Sequence, residues 1–103
     1  MFRLTVVYPA TEGGHFDFDY YVKSHIPMVA GFIGSSVDRT EAARGIAGAG
    51  TTPAPYAAVG HIYLRELGAL QSAFERHGEQ MGLDVPNYTN ITPVVSIEEI
   101  VPA

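Results

Sequence analysis

Four histidines, at positions 15, 25, 61 and 77, are the side chains of this sequence that titrate near neutral pH. Their settings separate them. His25 falls within Phe16–Met28, where Phe18, Tyr21, Val22, His25 and Ile26 recur at the spacing of one helical face. A partly desolvated imidazole in such company can serve as a general base or acid. Tyr21, one turn earlier, is placed to orient the ring or offer it a phenol hydrogen bond. On composition alone, a core histidine with one satisfied nitrogen is the more ordinary reading of His25. Pro27, two residues on, weighs the other way, because an interrupted helix exposes backbone groups and often lines a cavity. His61 sits in mid-strand on the same face as Tyr63. That pair is either ordinary sheet packing or a second wall of the same cavity. The candidate set is therefore His25 and Tyr21 for catalysis, with His61, Tyr63 and Pro27 as substrate contacts. His15, in a glycine-rich loop, and His77, on a helical stripe, read as structural.

Other chemistries find no footing. The chain has no cysteine, which removes disulfides, thiolate catalysis and Cys-based metal or iron–sulfur sites. No His-x-x-x-His pair occurs, so no metal site is expected. Gly45–Gly50 is not a dinucleotide fingerprint, since no hydrophobic strand precedes it and no helix follows. No cofactor is expected. Ser35-Ser36 lacks a nucleophile elbow. Glu98 and Glu99 are neighbours on a strand and must point to opposite faces. Six Lys and Arg stand against eleven Asp and Glu, a net charge of −5 without any basic stripe. Nucleic acid and anionic membrane surfaces are disfavoured as partners. No signal peptide and no apolar stretch of membrane-spanning length is visible, so a soluble, cytoplasmic protein is expected. The sequons at Asn87 and Asn90 are then coincidental.

The elements that would position these residues follow from the pattern. Phe2–Tyr8 alternates as a strand closed by Pro9, with Phe2, Leu4, Val6 and Tyr8 on one face. Asp17 can cap the His25 helix, and Asp19 and Lys23 form a favourable pair on its far side, with Tyr20 and Ser24. Pro27 should break or kink that helix near Ile26. It can restart through Phe32, with Gly31 and Gly34 ending it. Ser35–Gly50 is the least clear segment. Asp38–Arg44 has helical propensity, but lacking an apolar helical face it reads as a polar edge strand entering a loop that ends at Pro53 and Pro55. Tyr56–Leu64 is a strand with Ala57, Val59, His61 and Tyr63 on one side. A second helix runs from about Glu66 to Met81 with Gly82 as its cap, then a loop from Asp84 to Thr92, then a last strand from Pro93 to Val101. The order β-α-β-β-α-β makes one α+β domain over residues 1–103, ferredoxin-like, with a four-stranded antiparallel sheet and two helices on one face. The other face is left open, and a second copy packed against it would form a homodimer.

Two segments carry a resemblance. Phe16-Asp17-Phe18-Asp19-Tyr20-Tyr21-Val22-Lys23-Ser24-His25-Ile26-Pro27-Met28 resembles the signature of the EthD family, named for a protein associated with ethyl tert-butyl ether degradation. Asp84–Val94 resembles that family's closing loop and last strand. The resemblance implies a dimeric α+β barrel with a pocket between sheet and helices, and it places the family's histidine at His25. Relatives on this fold include lactone isomerases, cofactor-free monooxygenases and polyketide cyclases, so the fold does not fix the reaction. The implied function is binding of an apolar or aromatic small molecule, with cofactor-independent acid–base or oxidoreductase-type chemistry in catabolism or secondary metabolism. The alternative is a non-catalytic accessory protein of an oxidative degradation pathway.

Overall fold

The computed structural model describes residues 1–103. Strand β1 (Phe2–Pro9) leads through a glycine turn to a first helical unit. That unit comprises α1 (Phe18–Tyr20), a π-turn (Tyr21–His25) and α2 (Ile26–Ile33). Strands β2 (Val37–Arg44) and β3 (Tyr56–Leu64), helix α3 (Leu67–Asp84), a 3₁₀ turn (Val85–Asn87) and strand β4 (Val94–Glu99) complete the chain. The sheet order is β2-β3-β1-β4 with every pairing antiparallel. This is the ferredoxin-like α+β arrangement, and the polar segment Val37–Arg44 is indeed its edge strand.

The register decides what each face offers. Leu4 pairs with Ile62 and Ile97, so these three point together, as do Val6, Gly60 and Val95. That face lies under the helices. Thr5 pairs with His61 and Ser96, and Arg3 with Tyr63 and Glu98, on the face that no helix covers. Period-two alternation fixes this partition along all four strands.

The first helical unit departs from expectation in a way that matters for the site. Pro27 does not break it. Instead the Ile26 N–H donates to Tyr21 O, five residues back, so one turn is wound wide and the helix continues to Ile33. Proline lacks a donor and its ring crowds the carbonyl four residues earlier. An extra residue in the preceding turn accommodates both problems. Gly31 lies inside the helix, and Gly34 ends it with φ +86°, a conformation open to glycine without strain. The wide turn also shifts which side chains face inward. Tyr21, His25, Ile26, Val29 and Ile33 are buried, whereas Val22, expected among them, is 43% exposed. Asp17 caps the start, its Oδ1 accepting from Tyr20 N–H at 3.1 Å, and Lys23 pairs with Asp19 at 2.7 Å.

Helix α3 runs past Gly82 to Asp84, longer than its pattern suggested, while β4 is shorter than Pro93–Val101. The start of α3 is capped from a distance, with Ser36 Oγ accepting from the N–H of Glu66 at 2.8 Å and of Arg65 at 3.2 Å. His77 on its stripe stacks on Phe32, ring centroids 3.9 Å apart.

Two packed groups fill the space between sheet and helices. Leu4, Val29, Ile33, Ile62, Leu64, Leu70, Ala73 and Met81 form an aliphatic one. Tyr8, Tyr21, Ile26, Ala58, Tyr88 and Ile91 form an aromatic one. Aliphatic chains interdigitate densely, but large planar rings meeting edge-on (Tyr8 on Tyr21 at 5.5 Å and 83°) leave gaps where the two groups join.

Candidate functional site

That seam is a cavity of about 230 Å³. Its wall draws on both groups, with Leu4, Val29, Ile62 and Met81 from one and Tyr8, Tyr21, Ile26 and Tyr88 from the other. Eighteen residues line it, and none is Lys, Arg, Asp or Glu. His25 is the titratable group of its helical wall.

His25 arrives from the π-turn, 8% exposed, with its ring against those of Tyr21 and Tyr88 at centroid distances of 5.7 and 4.6 Å. Its Nδ1 meets Asp84 Oδ2 at 2.8 Å. Asp84 is the last residue of α3 and so sits at the negative end of that helix's dipole, an unfavourable place for a carboxylate. Three donors offset this. Tyr20 O–H donates to Oδ1 at 2.6 Å, Asn87 Nδ2 to Oδ1 at 2.9 Å, and His25 to Oδ2. Burial alone would push the Asp84 carboxyl up, but hydrogen bonds from Tyr20, His25 and Asn87 outweigh it and hold the group below the usual carboxylate range. An ionised Asp84 can only accept, so Nδ1 carries a hydrogen. In the neutral ring, Nε2 then holds the lone pair. Nε2 has no partner within the protein and is not sealed off, which leaves it to whatever enters the cavity.

Tyr21 does not orient His25 by a hydrogen bond; it packs nearly parallel to the ring, at 15°. Its hydroxyl lies over Gly60, where any Cβ would collide with it, so glycine is required at that point of β3. The hydroxyl turns towards Tyr8, whose oxygen keeps a lone pair for it while being paired with Tyr88 O–H at 2.7 Å. Burial, reinforced by its phenol neighbours, pushes the Tyr21 phenol well above its usual range and keeps it neutral.

Of the other expected contacts, His61 is also among the residues that line the cavity, although it shares with Tyr63 the open face of the sheet, opposite to His25. There Thr5 O–H donates to Glu98 Oε1 at 2.5 Å, and Arg3 Nε donates to the same oxygen at 2.7 Å. Thr5 has one hydrogen to give, so its Oγ1 accepts from His61 Nδ1 at 3.0 Å. Tyr63 donates to Glu41 at 3.0 Å beneath the Arg39 guanidinium. Pro27 is exposed and off the cavity wall. The structure therefore brings His25 and Tyr21 together, with His61 also on the cavity lining, and leaves Tyr63 and Pro27 off it. Asp84 and Tyr20 were missed. Tyr20 had been placed on the solvent side of its helix, and Asp84 in a loop. The available signal was that Asp84 is the one acid of the closing segment that also holds Asn87 and Tyr88.

Fold and site together define a small ferredoxin-like domain that carries a histidine–carboxylate pair on the wall of an apolar cavity. An EthD-like protein from Ralstonia eutropha JMP134 superposes with a TM-score of 0.90 at 33% identity, over 98% of this chain and 92% of that one. The chain belongs to the EthD family. An ethyl tert-butyl ether degradation (EthD) family protein from Bacillus halodurans C-125 shares the fold at 19% identity and a TM-score of 0.72, over 98% and 99% of the two chains. HapK from Hahella chejuensis shares it at 15% identity and 0.58, over 98% and 94%. No family model matches the sequence, and no curated protein does.

Proposed function

We propose that the cavity binds a small apolar or aromatic molecule and that His25, held by Asp84, moves a proton on it without a cofactor. The observation that carries this is the pairing of Nδ1 with an ionised carboxylate while Nε2 stays unpartnered at an apolar wall. A histidine fixed in one tautomer is a ready base, and the imidazolium it becomes is stabilised by the adjacent Asp84. The size fits as well. A dry cavity of about 150 Å³ accepts benzene, so 230 Å³ suits one or two fused rings. A purely accessory role would be better served by a closed space with both ring nitrogens satisfied internally.

The neutral ketone 2-tetralone tests both halves. Binding should raise the melting temperature of the native protein, and exchange of its α-hydrogens in D₂O, followed by NMR, should be accelerated about 100-fold relative to a folded His25→Ala variant. Equal exchange rates would sink the catalytic part. Absence of any thermal shift across a panel of neutral one- and two-ring compounds would sink the binding part.

The same reading includes a homodimer formed through the open sheet face. Val94 on that face is 58% exposed, and the charged groups there are already paired with one another, so covering them costs less than covering free charges. Sedimentation equilibrium of the native chain against Val94→Asp tests it, with a shift towards monomer expected for the variant.

A further inference from the structure

The cavity wall restricts the charge and chemistry of what it holds. Its lining carries no lysine or arginine, and the nearest fixed charge is the Asp84 carboxylate behind His25. A ligand with a permanent negative charge would lose its hydration and gain no countercharge. A plain hydrocarbon would engage neither of two polar atoms. Those atoms are His25 Nε2, with a lone pair, and the Tyr21 hydroxyl, which has Tyr8 as its one neighbour to donate to and can turn from it to a ligand. Their rings are nearly parallel, 5.7 Å between centroids, and both edges border the cavity. One atom accepts a proton and its neighbour donates a hydrogen bond.

Building on the binding reading above, we propose that the ligand class is an uncharged, planar, weak oxygen acid, a phenol or an enol, with its hydroxyl set between His25 Nε2 and the Tyr21 hydroxyl. The ligand O–H proton moves to Nε2, giving an imidazolium and a ligand oxyanion. Asp84 stays ionised and keeps the Nδ1 hydrogen. Tyr21 O–H donates to the new oxyanion, and no oxidant or reductant takes part. The product is an electron-rich phenolate or enolate held in an apolar space, ready for attack at carbon.

Three probes of one shape separate the possibilities on the native protein: 2-naphthol, naphthalene and 2-naphthoate, titrated calorimetrically. The expected order is 2-naphthol tightest and 2-naphthoate weakest, with roughly tenfold or more between those two. Bound 2-naphthol should show the absorption of its anion at neutral pH. Tyr21→Phe should weaken 2-naphthol by about tenfold and leave naphthalene unchanged, and His25→Gln should abolish the anion band. Binding of 2-naphthoate as tight as 2-naphthol, or 2-naphthol bound without any anion band, would overturn the inference while the cavity reading survives. If none of the three binds, both fall together. The order among ligands needs no variant, so a misfolded substitution does not blunt the test.

Discussion

Each face of the sheet presents a histidine whose Nδ1 is engaged, and the two engagements differ in one atom. On the helix side His25 meets a carboxylate directly, whereas on the open side His61 reaches Glu98 only through the Thr5 hydroxyl. A carboxylate in contact stabilises the imidazolium; a hydroxyl between the two dilutes that effect, because Glu98 spends its charge on Arg3. His61 is pushed below its usual value, first by burial and then by the positive charge of Arg3, with Glu41 and Glu98 pulling the other way and Arg39 adding to Arg3. Similar residues thus give a ring fixed in one tautomer by a carboxylate on one side and a ring disfavoured from charging on the other. A carboxylate's contact, and what else competes for it, decides between these outcomes.

The sharpest way to break this comparison is to remove each carboxylate in turn. Asp84→Asn should lower 2-tetralone exchange by about 100-fold, because the amide neither fixes the Nδ1–H tautomer nor stabilises the imidazolium. Glu98→Gln should leave exchange unchanged. ¹⁵N spectra of the imidazoles supply an independent reading, in which the Nδ1–H form of His25 is lost in the first variant only. Next in size is Gly60→Ala, whose added methyl displaces the Tyr21 ring. Overpacking of this kind should cost about 1–3 kcal/mol in urea unfolding, whereas Val22→Ala, on the solvent side of the π-turn, should stay within about 0.5 kcal/mol. Tyr20→Phe removes one of the donors to Asp84 and should lower the urea midpoint by less than Gly60→Ala does at neutral pH.

The smallest effect is in the pH dependence. Asp84 and Glu98 titrate lower in the fold than in the unfolded chain, so their contribution is present above about pH 4 and is lost as pH falls through the folded values. His61 is also depressed. The unfolded chain then binds its proton first, and stability declines as pH drops below about 6.5. His61→Gln should flatten that upper part of the acid limb and leave the carboxylate part in place, as read from denaturant midpoints at a series of pH values.

Much of this architecture was legible in the residues. The alternation of Phe2–Tyr8 and Tyr56–Leu64 and the helical spacing around His25 placed the strands and helices, because each pattern reports a local period. Alternation grouped His61 with Tyr63 correctly but could not say which layer that face would meet. The Asp84 contact was illegible for a different reason. It joins positions 59 residues apart, and it exists only because α3 continues beyond Gly82 to bring the carboxylate round to Nδ1. The π-turn was hidden too. A proline announces a defect in a helix, but packing on both sides selects how the defect is resolved.

The wide turn before Pro27 gives the helix slack. One residue of surplus length is stored between Tyr21 and Ile26, at positions where Val22, Lys23 and Ser24 face solvent. Those three sites should accept many substitutions, since none of their side chains is buried. Deleting one of them would remove the surplus and close the turn to regular pitch, with Val29 and Ile33 still facing the sheet. What is lost is the slack before Pro27, whose ring then crowds the carbonyl four residues earlier. The segment keeps a spare residue where its proline needs room.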